Sequence, residues 1–360
     1  MNIRELEQLI HNVIPNHTAE SWDNVGLLIG DTSTEVTGIL TTLDCTVEVI
    51  DEAIELGINT IICHHPLIFS GIKQINAGGY GDVIRHAIKH DIQLIAMHTN
   101  LDNYKYGVSY MIGKQIGLKA QTILLRASSK LCKLQLFVPN DYTSQLKDAL
   151  SQVGVGQIGE YAHCFYTSEG TGEFMPSSSA NPFVGKNGEI HYEKEMKVEC
   201  VFEPHLKQQV ENVITNVHPY ETPAYDIFEY DVTAEYGTGT IGIVDRMTVR
   251  TFAQRLKETL NIPSVKVIGD LNAEVSSVSI IGGAGVSYMD QIAGRADVFL
   301  TGDIKYHEAH DLLMKGQIAI DIGHYSEYVM IDGLKAIIQN MLPEIKVIAS
   351  STNTNPFKEV

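Results

Sequence analysis

Short runs rich in branched apolar residues alternate with helix-like segments along this chain, a rhythm that few architectures other than a layered α/β fold can satisfy. Near the start, the spacing predicts a helix over residues 3–13 and strands over 25–29 and 38–43. A helix over 47–56 then stops at Gly57. A strand over 58–63 delivers His64-His65-Pro66. After a helix over 81–90, a strand over 92–97 delivers His98-Thr99-Asn100-Leu101-Asp102. In such folds ligands gather beyond the carboxyl ends of strands, where these polar residues stand.

The pattern changes near residue 128. Strands over 133–138 and 160–167 flank a helix over 143–153. Strands over 197–202 and 225–230 flank a second helix over 203–217, and the Gly/Ser/Pro-rich stretch 170–188 between the halves reads as a loop or hairpin tip. Strand-helix-strand repeated once is a ferredoxin-like order, which predicts an inserted domain over 128–232. The α/β rhythm resumes at Gly239, with strands over 265–268, 278–282, 298–300, 318–322 and 345–349. Helices are expected over 251–260, 288–293, 306–314 and 326–341. Residues 1–127 and 233–360 should therefore form one discontinuous α/β domain.

With 360 residues, 44% of them hydrophobic, the chain can fill two cores. No apolar run approaches the ~20 residues of a membrane span. The opening Met1-Asn2-Ile3-Arg4-Glu5-Leu6 lacks the charged-then-apolar pattern of an export signal, so a cytoplasmic protein is expected. The five cysteines are scattered, with no CxxC pair, which suits reduced thiols. A formal charge of −18 disfavours a nucleic-acid partner.

Adjacent histidines at a strand end are uncommon. In extended backbone they would face opposite sides, but a turn started by Pro66 can bring both rings to one centre. Neutral imidazole is a ligand for zinc, iron or manganese; packing and turn capping are the ordinary alternative. Asp102 follows the next strand and can converge on the same edge, or can serve only as a helix cap. His98 suits a supporting hydrogen-bond partner first and an acid–base group second. After the strand over 318–322 comes Gly323-His324-Tyr325-Ser326-Glu327, whose His and Glu, three apart, share a helical face. Glu327 alone would also be explained by the helix dipole. Three imidazoles and two carboxylates exceed what one open catalytic zinc keeps. They suit two ions bridged by a carboxylate, with Glu327 the bridge. Gly282-Gly283-Ala284-Gly285 could cradle an anion or form a tight turn. Asp303, Lys305 and His307, after the strand over 298–300, are further candidates to line the pocket, with His307 and His98 as the proton-moving groups.

At these residues the chain resembles the GTP cyclohydrolase I type 2 homologue family, also called the Nif-three-like family. The resemblance rests on Ser21-Trp22-Asp23-Asn24-Val25-Gly26-Leu27, Cys63-His64-His65-Pro66-Leu67-Ile68-Phe69, His98-Thr99-Asn100-Leu101-Asp102, Gly282-Gly283-Ala284-Gly285, Thr301-Gly302-Asp303-Ile304-Lys305-Tyr306-His307 and Gly323-His324-Tyr325-Ser326-Glu327. The segments Gly154-Val155-Gly156-Gln157-Ile158-Gly159 and His218-Pro219-Tyr220-Glu221-Thr222-Pro223-Ala224-Tyr225-Asp226 resemble the PII- or CutA-like insert of longer members. The resemblance implies a dinuclear site at His64, His65, Asp102, His324 and Glu327, most often with zinc; iron, manganese and cobalt remain open. It also implies toroidal homohexamers with the sites facing an internal cavity. Two functions stand beside each other here. One is a metal-dependent hydrolase of a nucleotide-like or phosphorylated small molecule, including GTP ring opening. The other is a non-enzymatic metal-binding, delivery or regulatory assembly.

Overall fold

A computed structural model describes residues 1–358 and separates into two compact units, Met1–Ala127 with Glu235–Val360, and Ser128–Ala234. In the first unit, strands Val347–Ala349, Ile39–Thr42, Thr60–Cys63 and Gln93–Ala96 run parallel, and Gly26–Ile29 closes the edge antiparallel. The three central strands are buried at every position, as parallel strands covered on both faces must be. Alternate residues separate the two faces. Leu40, Ile61 and Leu94 pack against Val49, Ile50 and Ala87 of helices Val47–Glu55 and Tyr80–Lys89. Ile39, Ile62 and Ile95 join the opposite core, with Ile3, Leu6 and Ile10 of helix Ile3–Val13. That helix begins in a reciprocal cap, in which the Glu5 amide donates to Asn2 and the Asn2 amide to Glu5.

The second sheet of this unit carries Glu274–Ile280, Val298–Thr301 and Ile318–Asp321 in parallel. Lys266–Ile268 flanks them antiparallel on one side, and the last residues of Tyr225–Thr248 do so on the other. Val278, Val298, Leu300 and Ile320 share one core with Ile62 and Ile95 of the first sheet. Both sheets are mixed, and the fold is α/β as expected.

In the second unit, the sheet order is Tyr166–Phe174, His191–Phe202, Lys119–Pro139, Tyr225–Thr248. Helices Thr143–Gln152 and Lys207–Val217 cover one face, setting Leu146, Leu150, Val210 and Ile214 against Leu134, Leu136, Val198 and Cys200.

Two strands outrun their expected lengths. Lys119–Pro139 and Tyr225–Thr248 were expected only over 133–138 and 225–230; their added residues mix exposed polar positions with buried ones such as Leu124 and Val244, which blurs the strand pattern that backbone pairing nonetheless sustains. Tyr166–Phe174 runs into the Gly-rich stretch expected as loop, since Gly170 and Gly172 lower strand propensity without abolishing the ladder to His191–Phe202. Helices Thr99–Asn103 and Val108–Gln115 have no counterpart in the sequence expectation; they are buried nearly all round, which erases the amphipathic period.

The segment after the last strand is tied to helix Val47–Glu55 through one carboxylate. Glu52 accepts from Ser350 Oγ at 2.5 Å, from Ser351 N and Oγ at 2.8 Å, and from Thr352 Oγ1 at 2.8 Å. Partial burial opposes its charge, but these hydrogen bonds prevail and hold its pKa below the ordinary value. A depressed folded-state pKa stabilises above the unfolded value and is lost as pH falls through the folded one. Amide exchange at residues 350–352 should therefore be protected at neutral pH and lose protection under acid. Glu52→Gln should raise exchange there by about tenfold at neutral pH; equal exchange in both proteins would show that the carboxylate is not the tie.

Candidate metal centre

The carboxyl ends of both parallel sets deliver polar side chains to one place. Ile39–Thr42 leads to Asp44, Thr60–Cys63 to His64 and His65, and Gln93–Ala96 to His98 and Asp102. From the other sheet, Glu274–Ile280 leads to Gly282-Gly283, Val298–Thr301 to Asp303, and Ile318–Asp321 to His324 and Glu327.

The two adjacent histidines turn before Pro66. His64 N donates to Thr42 O and Leu43 O at 3.1 Å, and His65 N donates to Leu43 O at 3.0 Å. Successive amides aimed at one carbonyl take the backbone out of the extended form, so the rings lie on the same side, 5.1 Å apart. His324 and Glu327 sit on a 3-10 turn, His324–Tyr328, where residues three apart nearly eclipse; His324 Nε2 lies 3.3 Å from Glu327 Oε2.

Each histidine of the cluster is held by its Nδ1. His64 Nδ1 donates to Met97 O at 2.8 Å and His65 Nδ1 to Asp44 Oδ1 at 2.7 Å. His324 Nδ1 donates to Asp303 Oδ2 at 2.7 Å, and His98 Nδ1 to Asp23 Oδ1 at 2.9 Å. Such acceptors fix the tautomer and turn each Nε2 inward. The Nε2 atoms of His65 and His324 meet at 3.2 Å, and His65 Nε2 stands 3.2 Å from Glu327 Oε2. His64 Nε2 lies 3.8 Å from Asp102 Oδ1 and 3.9 Å from Glu327 Oε2. Buried His64 Nε2 and Asp102 Oδ1 have no hydrogen-bond partner among the described residues. Unsatisfied polar atoms converging with a ring nitrogen pair are what a cation's ligands look like without the cation.

Three overlapping groups satisfy ligand-to-ligand spacing: His64, His65 and His98; His65, His324 and Glu327; and His64, Asp102 and Glu327. The residues can hold a metal ion. The sequence reasoning thus named residues that lie together at His64, His65, His98, Asp102, His324 and Glu327. His307 is not brought to this cluster; it is exposed on helix Tyr306–Met314, with its ring against Tyr306. Its neighbour Asp303 is the member of that motif that reaches the centre.

Electrostatics follow from the geometry. Burial pushes the His64 imidazole down to about 4, leaving it neutral. For His65 burial works against charge, yet the Asp44 and Glu327 hydrogen bonds prevail and raise it to about 10. Glu327 raises His324 to about 9. Glu327 is itself disfavoured as a charge by burial but held low by His324 and His65. Asp102 is pushed up by burial and by the charge of Glu327.

A cavity of about 350 Å³ opens on the cluster, lined among others by Trp22, His98, Asp102, Gly282, Gly283 and Glu327. The glycine loop is there for close approach. A Cβ on Gly282 would stand 2.9 Å from Glu327 Oε1, and Gly283 combines a φ of +57° with a 3.1 Å approach to the same oxygen. The Gly282 and Gly285 amides donate to Ser109 Oγ and Thr301 Oγ1, so they serve the fold rather than an anion.

Two supports were not read as part of the centre from the sequence, although Asp23 stands within one of the segments that carry the resemblance. Asp44 orients His65 and in turn accepts from Thr354 Oγ1 at 2.6 Å. Asp23 accepts from His98 Nδ1, Thr99 N and Thr99 Oγ1. Each is an Asp in a loop, whose acceptor role appears only in three dimensions.

A family model described as Duf34/NIF3 (NGG1p interacting factor 3) matches residues 1–356. A Staphylococcus aureus protein named GTP cyclohydrolase 1 type 2 homolog is 48% identical over 366 residues, covering 100% of both chains. A crystal structure of a Staphylococcus aureus protein superposes with TM-score 0.89 at 44% identity, covering 100% of this chain and 99% of that one. A Bacillus cereus protein related to NIF3 superposes with TM-score 0.83 at 36% identity, again over 100% and 99%.

Gly302 sets the His324 loop. A Cβ there would stand 2.9 Å from Gly323 C and His324 N and 3.1 Å from Gly283 O, whereas one on Gly71 meets nothing within 4 Å. Gly302→Ala should cost about 1–3 kcal/mol in urea unfolding, and Gly71→Ala should be near neutral. Equal midpoints for the two variants would refute the close-approach account.

Proposed function

The chain belongs to the Duf34/NIF3 family, and from that premise we propose a dinuclear divalent-metal site that hydrolyses a nucleotide-like or phosphorylated small molecule. One observation carries the reading: three Nε2 atoms and two carboxylates converge while His64 Nε2 and Asp102 Oδ1 find no partner in the protein. The ligands we assign are His64, His65, Asp102, His324 and Glu327. Glu327 belongs both to the group with His65 and His324 and to the group with His64 and Asp102, which supports a bridging carboxylate between two ions. Imidazole with carboxylate suits zinc, and iron, manganese and cobalt accept the same donors. When bound, the pair supplies Lewis acidity, lowering the pKa of water and neutralising charge that develops on a phosphoryl or carbonyl oxygen.

The remaining residues bind and move protons. His98, its Nδ1 committed to Asp23, keeps Nε2 as the atom that takes up or releases a proton beside the cluster. Trp22, 57% exposed, lines the cavity and lies 5.7 Å from Phe69, a pair suited to stacking on a planar base. The cavity lining holds Glu20, Asp102 and Glu327 but no Lys or Arg, so an anionic substrate depends on the cations for charge balance. The open cavity favours catalysis over a closed storage shell. The Staphylococcus aureus relative's name supports GTP as the first substrate to try.

The middle unit is assigned as a ferredoxin-like insert of PII/CutA type, over 128–232. Its support is the doubled strand-helix-strand order and its strand sequence in the sheet. A toroidal homohexamer, with the sites on an internal cavity, follows from the resemblance alone. Five free thiols suit the cytoplasm.

Zinc-reconstituted protein should bind two ions per chain and turn over a member of a nucleotide and phosphoester panel. Asp44→Ala should weaken metal binding about 10–100-fold by freeing the His65 ring. His65→Ala should abolish turnover while retaining the fold by circular dichroism. Undiminished turnover in that variant would sink the assignment, and full loading with no turnover anywhere in the panel would leave the metal-delivery reading.

A further inference from the structure

The middle unit contains a second cavity, unrelated to the histidine cluster. It measures about 570 Å³, within the ~300–1,000 Å³ of small-molecule sites. Its floor is the sheet face that the helices leave uncovered. Along Tyr166–Phe174, Ser168, Gly170 and Gly172 share that face, paired in register with Lys197, Glu195 and Glu193 of the neighbouring strand. Two glycines in one row remove the side chains that would fill the hollow, and a Cβ on Gly170 would meet nothing within 4 Å. Phe174, Phe183 and Tyr220 wall the hollow, with ring centroids 5.9 Å apart for Phe174–Tyr220 and 6.3 Å for Phe183–Tyr220.

At the base stands Glu195, only 9% exposed. Its Oε1 accepts from Tyr220 OH at 2.8 Å, and its Oε2 has no hydrogen bond among the described residues. A Cβ on Gly172 would lie 2.4 Å from that Oε2, so the missing side chain is what lets the carboxylate turn into the hollow. Among the described residues no cation pairs with it. Lys197 Nζ is engaged 3.2 Å from Glu199. His218 donates Nε2–H to Phe137 O and accepts the Tyr220 amide on Nδ1, which spends both ring nitrogens in the neutral form. Glu169, Glu173 and Glu221 also line the cavity, against the single Lys197. A buried carboxylate without a counter-charge is costly, and aromatic faces beside it favour a cation on their π-surfaces.

We propose that this cavity is a binding site for a small organic cation, an amidinium, guanidinium or ammonium group on a slender apolar body. The charged head pairs with Glu195 Oε2, and the body lies among Phe174, Phe183 and Tyr220. The acidic lining turns away nucleotides and other anions, so the ligand differs in class from the substrate proposed for the metal centre.

The test is calorimetric titration of the full chain with benzamidinium, neutral benzamide and anionic benzoate, three flat probes of nearly equal shape. Benzamidinium should bind at least about tenfold more tightly than benzamide, and benzoate should not bind. Glu195→Gln keeps the acceptor for Tyr220 and removes the charge, and should cost about tenfold in benzamidinium affinity. His65→Ala should leave that affinity unchanged, which locates binding away from the histidine cluster. Absence of benzamidinium binding, equal binding of benzamide, or full affinity in Glu195→Gln would each overturn the proposal. The probe series on the unaltered protein decides the matter even where a variant fails to fold.

Discussion

Everything at the histidine cluster depends on a hydrogen bond made on the far side of each ring. Met97 O, Asp44, Asp303 and Asp23 each take an Nδ1–H, and that choice leaves the Nε2 atoms of His64, His65, His324 and His98 directed into shared space. Without those acceptors the rings would be free to flip, and the convergence would dissolve into ordinary strand-end histidines. The arrangement also localises cost. A buried imidazole with an unsatisfied nitrogen and a carboxylate with an unsatisfied oxygen each carry a desolvation cost that a shared positive charge would offset.

The positions of the acceptors explain why strand order matters more than sequence distance. Parallel pairing of Ile39–Thr42, Thr60–Cys63 and Gln93–Ala96 brings their carboxyl ends to one edge, so Asp44, His64, His65 and His98 are neighbours by construction. The second sheet does the same for Asp303 and His324. Short strands suffice because burial on both faces, rather than length, secures them.

Much of this was legible in the chain. Apolar runs marked the buried strands, and unusual residue types at their exits marked the centre: two histidines together, then His98 and Asp102, then His324 with Glu327. What could not be read shares a physical cause. Asp44 and Thr354 are common residues in unremarkable loops, and only proximity makes them supports. His307 was expected to line the pocket and move protons, yet it falls on an exposed helix face, while Asp303, four residues earlier, is the one that bonds the His324 ring. The long strands Lys119–Pro139 and Tyr225–Thr248 interleave exposed polar and glycine positions with buried ones such as Leu124 and Val244, so their full length leaves only a broken trace in hydrophobic patterning. Gly170 and Gly172 looked like loop residues; they shape the floor of a cavity instead.

The brace from Thr354 to Asp44 joins positions 310 residues apart, and His324 meets His65 across 259. During translation the paired histidines leave the ribosome long before either partner exists. A nascent chain therefore presents His64, His65 and Asp102 without the His324 and Glu327 side chains that face them in the finished fold. Only when the final strand and the stretch after it have been threaded into place does the His65 ring lock. The geometry of the cluster is thus completed late, by the closing of the fold, and not by the first of its residues to emerge.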